Sequence, residues 1–148
     1  HHGALALSTL DRSARSSRAE ARVAAAPVLG HLEEAGAELR LLRMVGDSED
    51  AVQMAAAVAL TSPPRAILEE NLPEFARALD ATRTRRNRKA AYRLSLLAAH
   101  AKIDHEKVLK ALVDLAAFHE QAIASLAHLT GAPLENAEAC RKWWKERG

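Results

Sequence analysis

Aromatic residues are nearly missing from this 148-residue chain: two Phe, one Tyr and two Trp, 3% of the sequence. The core must be made of something else. The chain is 49% hydrophobic, and alanine is the largest contributor, with leucine next. Small apolar side chains let helix axes approach closely, so the composition implies tightly spaced helices. Cysteine is reduced to Cys140, which excludes an intrachain disulfide and fits a reducing, cytoplasmic setting. No apolar run approaches the length of a membrane span, and no membrane partner is expected. Charge of one sign is not in excess either. A net charge of +2 does not make the whole molecule a polyanion binder.

Catalytic signatures are missing as well. There is no glycine-rich phosphate loop, no HExxH, no GxSxG and no cysteine cluster. The chain is therefore expected not to be an enzyme, with no catalytic residue, no cofactor and no metal site. His100, His105, His119 and His128 lack the i, i+4 spacing of a two-histidine metal face. His100 and His105 flank a helix junction, so folding could bring them together. The chain opens HHG without Met; His1 and His2 read as a tag remnant and are set aside. The natural start is then expected to lie elsewhere, and a lost signal peptide stays open.

What is present is helical spacing. Val52, Ala55, Ala56, Ala59 and Leu60 run i, i+3, i+4, i+7, i+8, and Leu72, Phe75, Ala76 and Leu79 follow the same pattern. No strand pattern is found. The breaks fall at GDSED (46–50), TSPP (61–64), NLPEF (71–75) and TGAP (130–133). They offer Asp47 or Ser48, Asn71 and Asp104 as N-caps and proline in first turns. The predicted helices are roughly 3–10, 17–33, 36–46, 49–61, 72–81, 86–101, 105–117, 119–130 and 135–146. A short extra turn is expected within 64–70.

The helices repeat. Aligning ELRLLRMV, LPEFARAL and HEKVLKAL superposes Leu41, Phe75 and Val108, and also Val45, Leu79 and Leu112, at offsets of 34 and 33. The preceding helices carry the pairs Ala24–Ala25, Ala55–Ala56 and Ala90–Ala91, which should sit where neighbouring first helices nearly touch. Two helices per unit of just over thirty residues describe an all-α superhelix, a solenoid of about four hairpins. The units are 17–46, 49–81, 86–117 and 119–147, in one domain spanning 3–148. The short, uncapped first helix suggests an excerpt of a longer array.

The repeat resembles bacterial HEAT-like repeats of the phycobilin-lyase type over roughly 17–147. The shared features are a charged-x-x-Ala-Ala-x-x-x-Leu first helix, an acidic turn such as GDSED before it, and Pro27. The ending matches too: Leu129, Thr130 and Gly131, then Arg141, Trp143 and Trp144, with Cys140 where the family pattern has a first tryptophan. The resemblance implies that second helices line a concave surface. It also implies a protein-binding scaffold, with DNA binding like that of HEAT-like alkylpurine glycosylases, or a lyase-subunit role, as alternatives.

Three features compete as sites. Arg43, Arg77 and Lys110 share one position in successive second helices, opposite the apolar stripe. They form a candidate ladder for an acidic peptide or phosphates on the concave surface. Arg83, Arg85, Arg86, Arg88 and Lys89 form a basic run that crowds a helix start, against the helix dipole. Either Glu69, Glu70, Glu74 and Asp80 pair with it, or an anionic partner does; for nucleic acid the basic region is 83–93. Residues 81–110 hold nine basic and two acidic residues, while 47–80 hold two basic and seven acidic. Last, Cys140, Trp143 and Trp144 fall at i, i+3 and i+4. They read as a C-terminal cap on the solenoid core, with a stacking or membrane-surface site as the alternative.

Overall fold

A computed structural model describes residues 2–147, with side chains from Leu7 onward; His1, one half of the expected tag remnant, lies outside them. The described residues form nine α-helices and no strand. They are α1 (His2–Ala14), α2 (Ala19–Gly30), α3 (Ala35–Met44), α4 (Asp50–Thr61), α5 (Leu72–Thr84), α6 (Arg88–His100), α7 (Glu106–Leu115), α8 (Glu120–Thr130) and α9 (Ala137–Arg147). A 3-10 turn, Glu69–Asn71, precedes α5. Among the described residues no helix is long and apolar enough to cross a membrane.

The helices pack as two rows. One row is α2, α4, α6 and α8, each against the next; the other is α1, α3, α5, α7 and α9. Sequential helices join the rows, with one exception: α4 and α5 share no packing contact, and the 3-10 turn packs on α3 and α5 instead. Within the first row, α4 and α6 meet less extensively than α2 and α4 or α6 and α8.

The second helices keep the register expected of them. Leu41, Phe75, Val108, Leu79 and Leu112 are fully buried and Val45 nearly so. The first helices are rotated by one residue from expectation in α2 and α4. Ala24 is exposed and Ala55 half-buried, whereas Ala26, Ala57, Ala91 and Ala122 are all fully buried. These four alanines recur at offsets of 31, 34 and 31. A row of methyl groups at equivalent positions lets the helices approach; an added Cβ on Gly30, at the end of α2, would stand 3.1 Å from Ala59 Cβ on α4.

The capping pattern also departs from expectation. Residues expected to cap their own helices tie hairpins together instead. Asp47 accepts from the Glu49 amide at 2.8 Å, but its carboxylate also holds the Arg22 guanidinium of the previous hairpin through two bonds of 2.9 and 3.1 Å. Asn71 makes no side-chain cap; its amide donates to Glu38 Oε2 at 2.7 Å and Ala35 O at 3.1 Å. Residue His105, not Asp104, occupies the N-cap of α7, without a side-chain bond. Asn87 does cap α6, accepting from the Ala90 amide, and its own amide donates to Gln53 Oε1 on α4 at 2.8 Å. Asn71 and Asn87 donate across hairpins through their amide nitrogen, while Asn87 also caps through its oxygen, so these side chains add connectivity between hairpins. Gly131, at φ +73°, terminates α8 in the left-handed conformation that costs glycine no Cβ clash.

Candidate binding surface

The second-helix ladder is exposed, as its position requires, yet its charges are already engaged. Arg43 Nε lies 3.4 Å and Arg77 Nη1 3.3 Å from the same oxygen, Glu74 Oε1. Lys110 Nζ lies 2.6 Å from Asp114 Oδ1. A depression on this side that Arg43 helps to line also holds Asp11 and Glu34. Exposed pairs of this kind contribute little stability, but the two carboxylates offset part of the charge of the three cations.

The basic run does not act as one cluster. Arg83 lies in the last turn of α5, where a cation complements the helix dipole. Its guanidinium donates to Asp80 at 2.6 Å, and this bond raises its pKa above the ordinary value. Arg85 caps the same helix and donates to Gly46 O at 3.0 Å. Arg86 takes a left-handed φ of 55° in the turn between α5 and α6. Only Arg88 and Lys89 enter the first turn of α6. Arg88 reaches forward to the next hairpin: it donates to Phe118 O, lies 3.3 Å from Glu120 Oε2 and sits over the Phe118 ring. Of the acids expected to neutralise this run, only Asp80 does so.

The arrangement opens a groove of about 730 Å³ along the seam between α4 and α6. Lys89, Tyr92, Arg93, Leu96 and His100 line it at i, i+3, i+4, i+7 and i+11 of α6. Met54 and Thr61 of α4 form the facing wall, and Arg88 and His119 close one end. Three cations line the groove and no carboxylate does. Lys89 and Arg93 have no acidic partner among the described residues; Arg93 Nη1 donates to Thr61 Oγ1 at 3.1 Å. Tyr92 is 47% and Leu96 39% exposed, so the floor is apolar as well as basic. Burial, and then the nearby Arg88, lower the pKa of His119 and favour the neutral ring. Its Nδ1 accepts from the Gln121 amide, which requires that nitrogen unprotonated.

Arg88, Lys89 and Arg93 belong to the basic region singled out from sequence, but Tyr92, Leu96 and Met54 escaped that reading. Their signal is apolar side chains left exposed (Tyr92, Leu96) or half-buried (Met54) beside the buried alanines, which shows only once the helices are packed. The histidines do not converge. His100 and His119 line the groove, His105 Nδ1 is buried without a partner, and His128 lies in the last turn of α8. No group of three or more metal-ligating side chains forms among the described residues.

At the other end, α9 packs on α7 and α8. Cys140 is fully buried, and burial raises its thiol pKa. Trp143 and Trp144 lie against the core but are only half-buried. The Arg147 guanidinium lies 5.1 and 5.2 Å from their ring centres and 2.6 Å from Glu106 Oε2. The one cation thus packs against both half-buried rings and ties α9 to α7. Replacing Trp144 by alanine is expected to lower stability by about 2 kcal/mol, below the cost of emptying a sealed site. Urea unfolding checks this; a loss under 0.5 kcal/mol would show that the ring seals nothing.

Comparison with known proteins finds no matching family model, no similar curated protein and no similar solved structure.

Proposed function

We propose that this chain is a non-enzymatic interaction module, a HEAT-like solenoid that holds an acidic segment of a partner protein in the groove between α4 and α6. One observation carries the reading: three cations line that groove with no carboxylate among them. Arg88 already meets Glu120, but Lys89 and Arg93 line the groove with no acidic partner among the described residues, so two positive charges there are open to an anion. The second-helix ladder supports the reading less, because Glu74 and Asp114 already occupy its cations. The groove joins cations to an apolar floor and supplies neither a carboxylate nor a thiol, the composition of a docking site. The two rows of helices and the 31–34-residue recurrence of the buried alanines support the solenoid. The single, buried cysteine supports a cytoplasmic setting.

Nucleic acid is the second reading, favoured by exposed Tyr92 set between Lys89 and Arg93. A fluorescein-labelled 15-residue polyglutamate peptide and a 20-base-pair duplex separate the two across a salt series. The peptide is expected to bind at low salt and to lose at least tenfold in affinity with Lys89→Glu/Arg93→Glu, but to be unaffected by Arg43→Glu/Arg77→Glu/Lys110→Glu. The reverse pattern would return the site to the second helices. Duplex binding tighter than peptide binding, with a steep salt slope, would favour nucleic acid.

A further inference from the structure

The rotation that buries Ala26, Ala57, Ala91 and Ala122 fixes what the same helices show to the outside. One residue after each buried alanine stand Pro27, Val58, Tyr92 and Ile123. All four are apolar, and all occupy equivalent positions on adjacent helices of the first row. Pro27, Val58 and Tyr92 are exposed, Val58 at 38% and Tyr92 at 47%; Ile123 is half-buried. The second helices α3, α5 and α7 show no exposed large apolar side chain. One repeated position kept apolar while facing water does not serve the core.

The surface along these residues is also concave. Pro27 and Val58 line a second groove, about 390 Å³, between α2 and α4. It contains Val23, Ala55 and Ala59 and no charged Lys, Arg, Asp or Glu. Met54 lines both this groove and the basic one between α4 and α6, so the two adjoin. Along the first row the surface therefore passes from apolar at α2 and α4 to apolar-plus-cationic at α6.

We infer that these two grooves form one bipartite docking site for an amphipathic acidic segment of another protein. Its aliphatic side chains sit on Pro27, Val58 and Tyr92, and its carboxylates meet Lys89 and Arg93. With helix axes roughly 8–10 Å apart, the ladder from α2 to α6 spans about 20 Å, a length that an occupant of about 14 helical residues covers. Apolar anchors supply affinity, and the charges at one end set polarity and rate of encounter. This inference rests on the proposed protein-binding role and adds the apolar half of the site, the orientation of the segment and the partner's chemistry.

Three labelled 18-residue peptides test it by fluorescence anisotropy: a leucine stripe with glutamates elsewhere, the same peptide with Leu→Ser, and the same with Glu→Lys. The first is expected to bind at least tenfold tighter than either control. Val58→Ser/Tyr92→Ser and, separately, Lys89→Glu/Arg93→Glu are each expected to weaken it at least tenfold with the melting temperature unchanged. Amide shifts on binding should map to α2, α4 and α6. If the Leu→Ser peptide binds equally well, or Val58→Ser/Tyr92→Ser changes nothing, the apolar half is overturned and the basic-groove reading survives. If none of the peptides binds, or only a 20-nucleotide single strand does, both are overturned.

Discussion

Replacing Glu38 by alanine is expected to cost about 3 kcal/mol and to release the connection between α4 and α5. Glu38 lies in α3 and is 1% exposed, the most buried acid of the described residues. Its Oε2 accepts from the Leu68 amide at 3.0 Å and from Asn71 Nδ2 at 2.7 Å, and Arg65 Nε lies 3.5 Å from Oε1. All three donors come from residues 62–71, the one connection that bridges helices making no contact of their own. Removing the carboxylate strands a mostly buried guanidinium and the Leu68 amide, and leaves the Asn71 amide only Ala35 O. Breaking a buried pair from one side costs several kcal/mol, and partial exposure of Arg65 places this case at the lower end. Glu38→Gln keeps the shape and one acceptor, so its cost should be roughly half. Urea unfolding gives the stability; amide exchange at Leu68 and Asn71 gives the local release. A Glu38→Ala protein within 0.5 kcal/mol of wild type would show that the connection is held by packing alone.

Leucine in place of Ala57 or Ala91 is expected to destabilise by about 2–3 kcal/mol, while Ala24→Leu should change stability by less than about 0.5 kcal/mol. Ala57 and Ala91 are fully buried on the first row, so three added carbons must displace neighbouring atoms. The exposed Ala24 is the control that makes the experiment a test of helix rotation rather than of alanine in general. Thermal unfolding of the three variants is sufficient. A costly Ala24→Leu beside a tolerated Ala57→Leu would restore the register read from sequence and would also move Val58 off the outer face.

These two sites show where the sequence stopped being legible. The helices themselves were readable because periodicity of apolar residues is local. Leu41, Phe75 and Val108 stand out against charged neighbours, and their burial is as expected. The runs Ala24–Ala26 and Ala55–Ala57 carry no such contrast. Three equal methyl groups leave the rotation of a helix undetermined by one residue, and only the neighbouring helices choose. The capping residues failed for a related reason. Asp47 and Asn71 have cap chemistry, but their longer-range partners Arg22 and Glu38 lie 25 and 33 residues away. No local rule weighs such partners.

The sequence by itself determined an all-α chain, the number of helices among the described residues, the stops between them and the helical spacing of Cys140, Trp143 and Trp144 at its end. Each depends on interactions within about one helical turn. The tertiary structure alone decided which face of each first helix looks outward, and so which cations remain free. Arg43, Arg77 and Lys110 were exposed either way, yet folding supplied acids to all three. Lys89 and Arg93 received none; they line the groove between α4 and α6, which no carboxylate lines. Availability of a charge is a property of what packs around it, and that is written only in three dimensions.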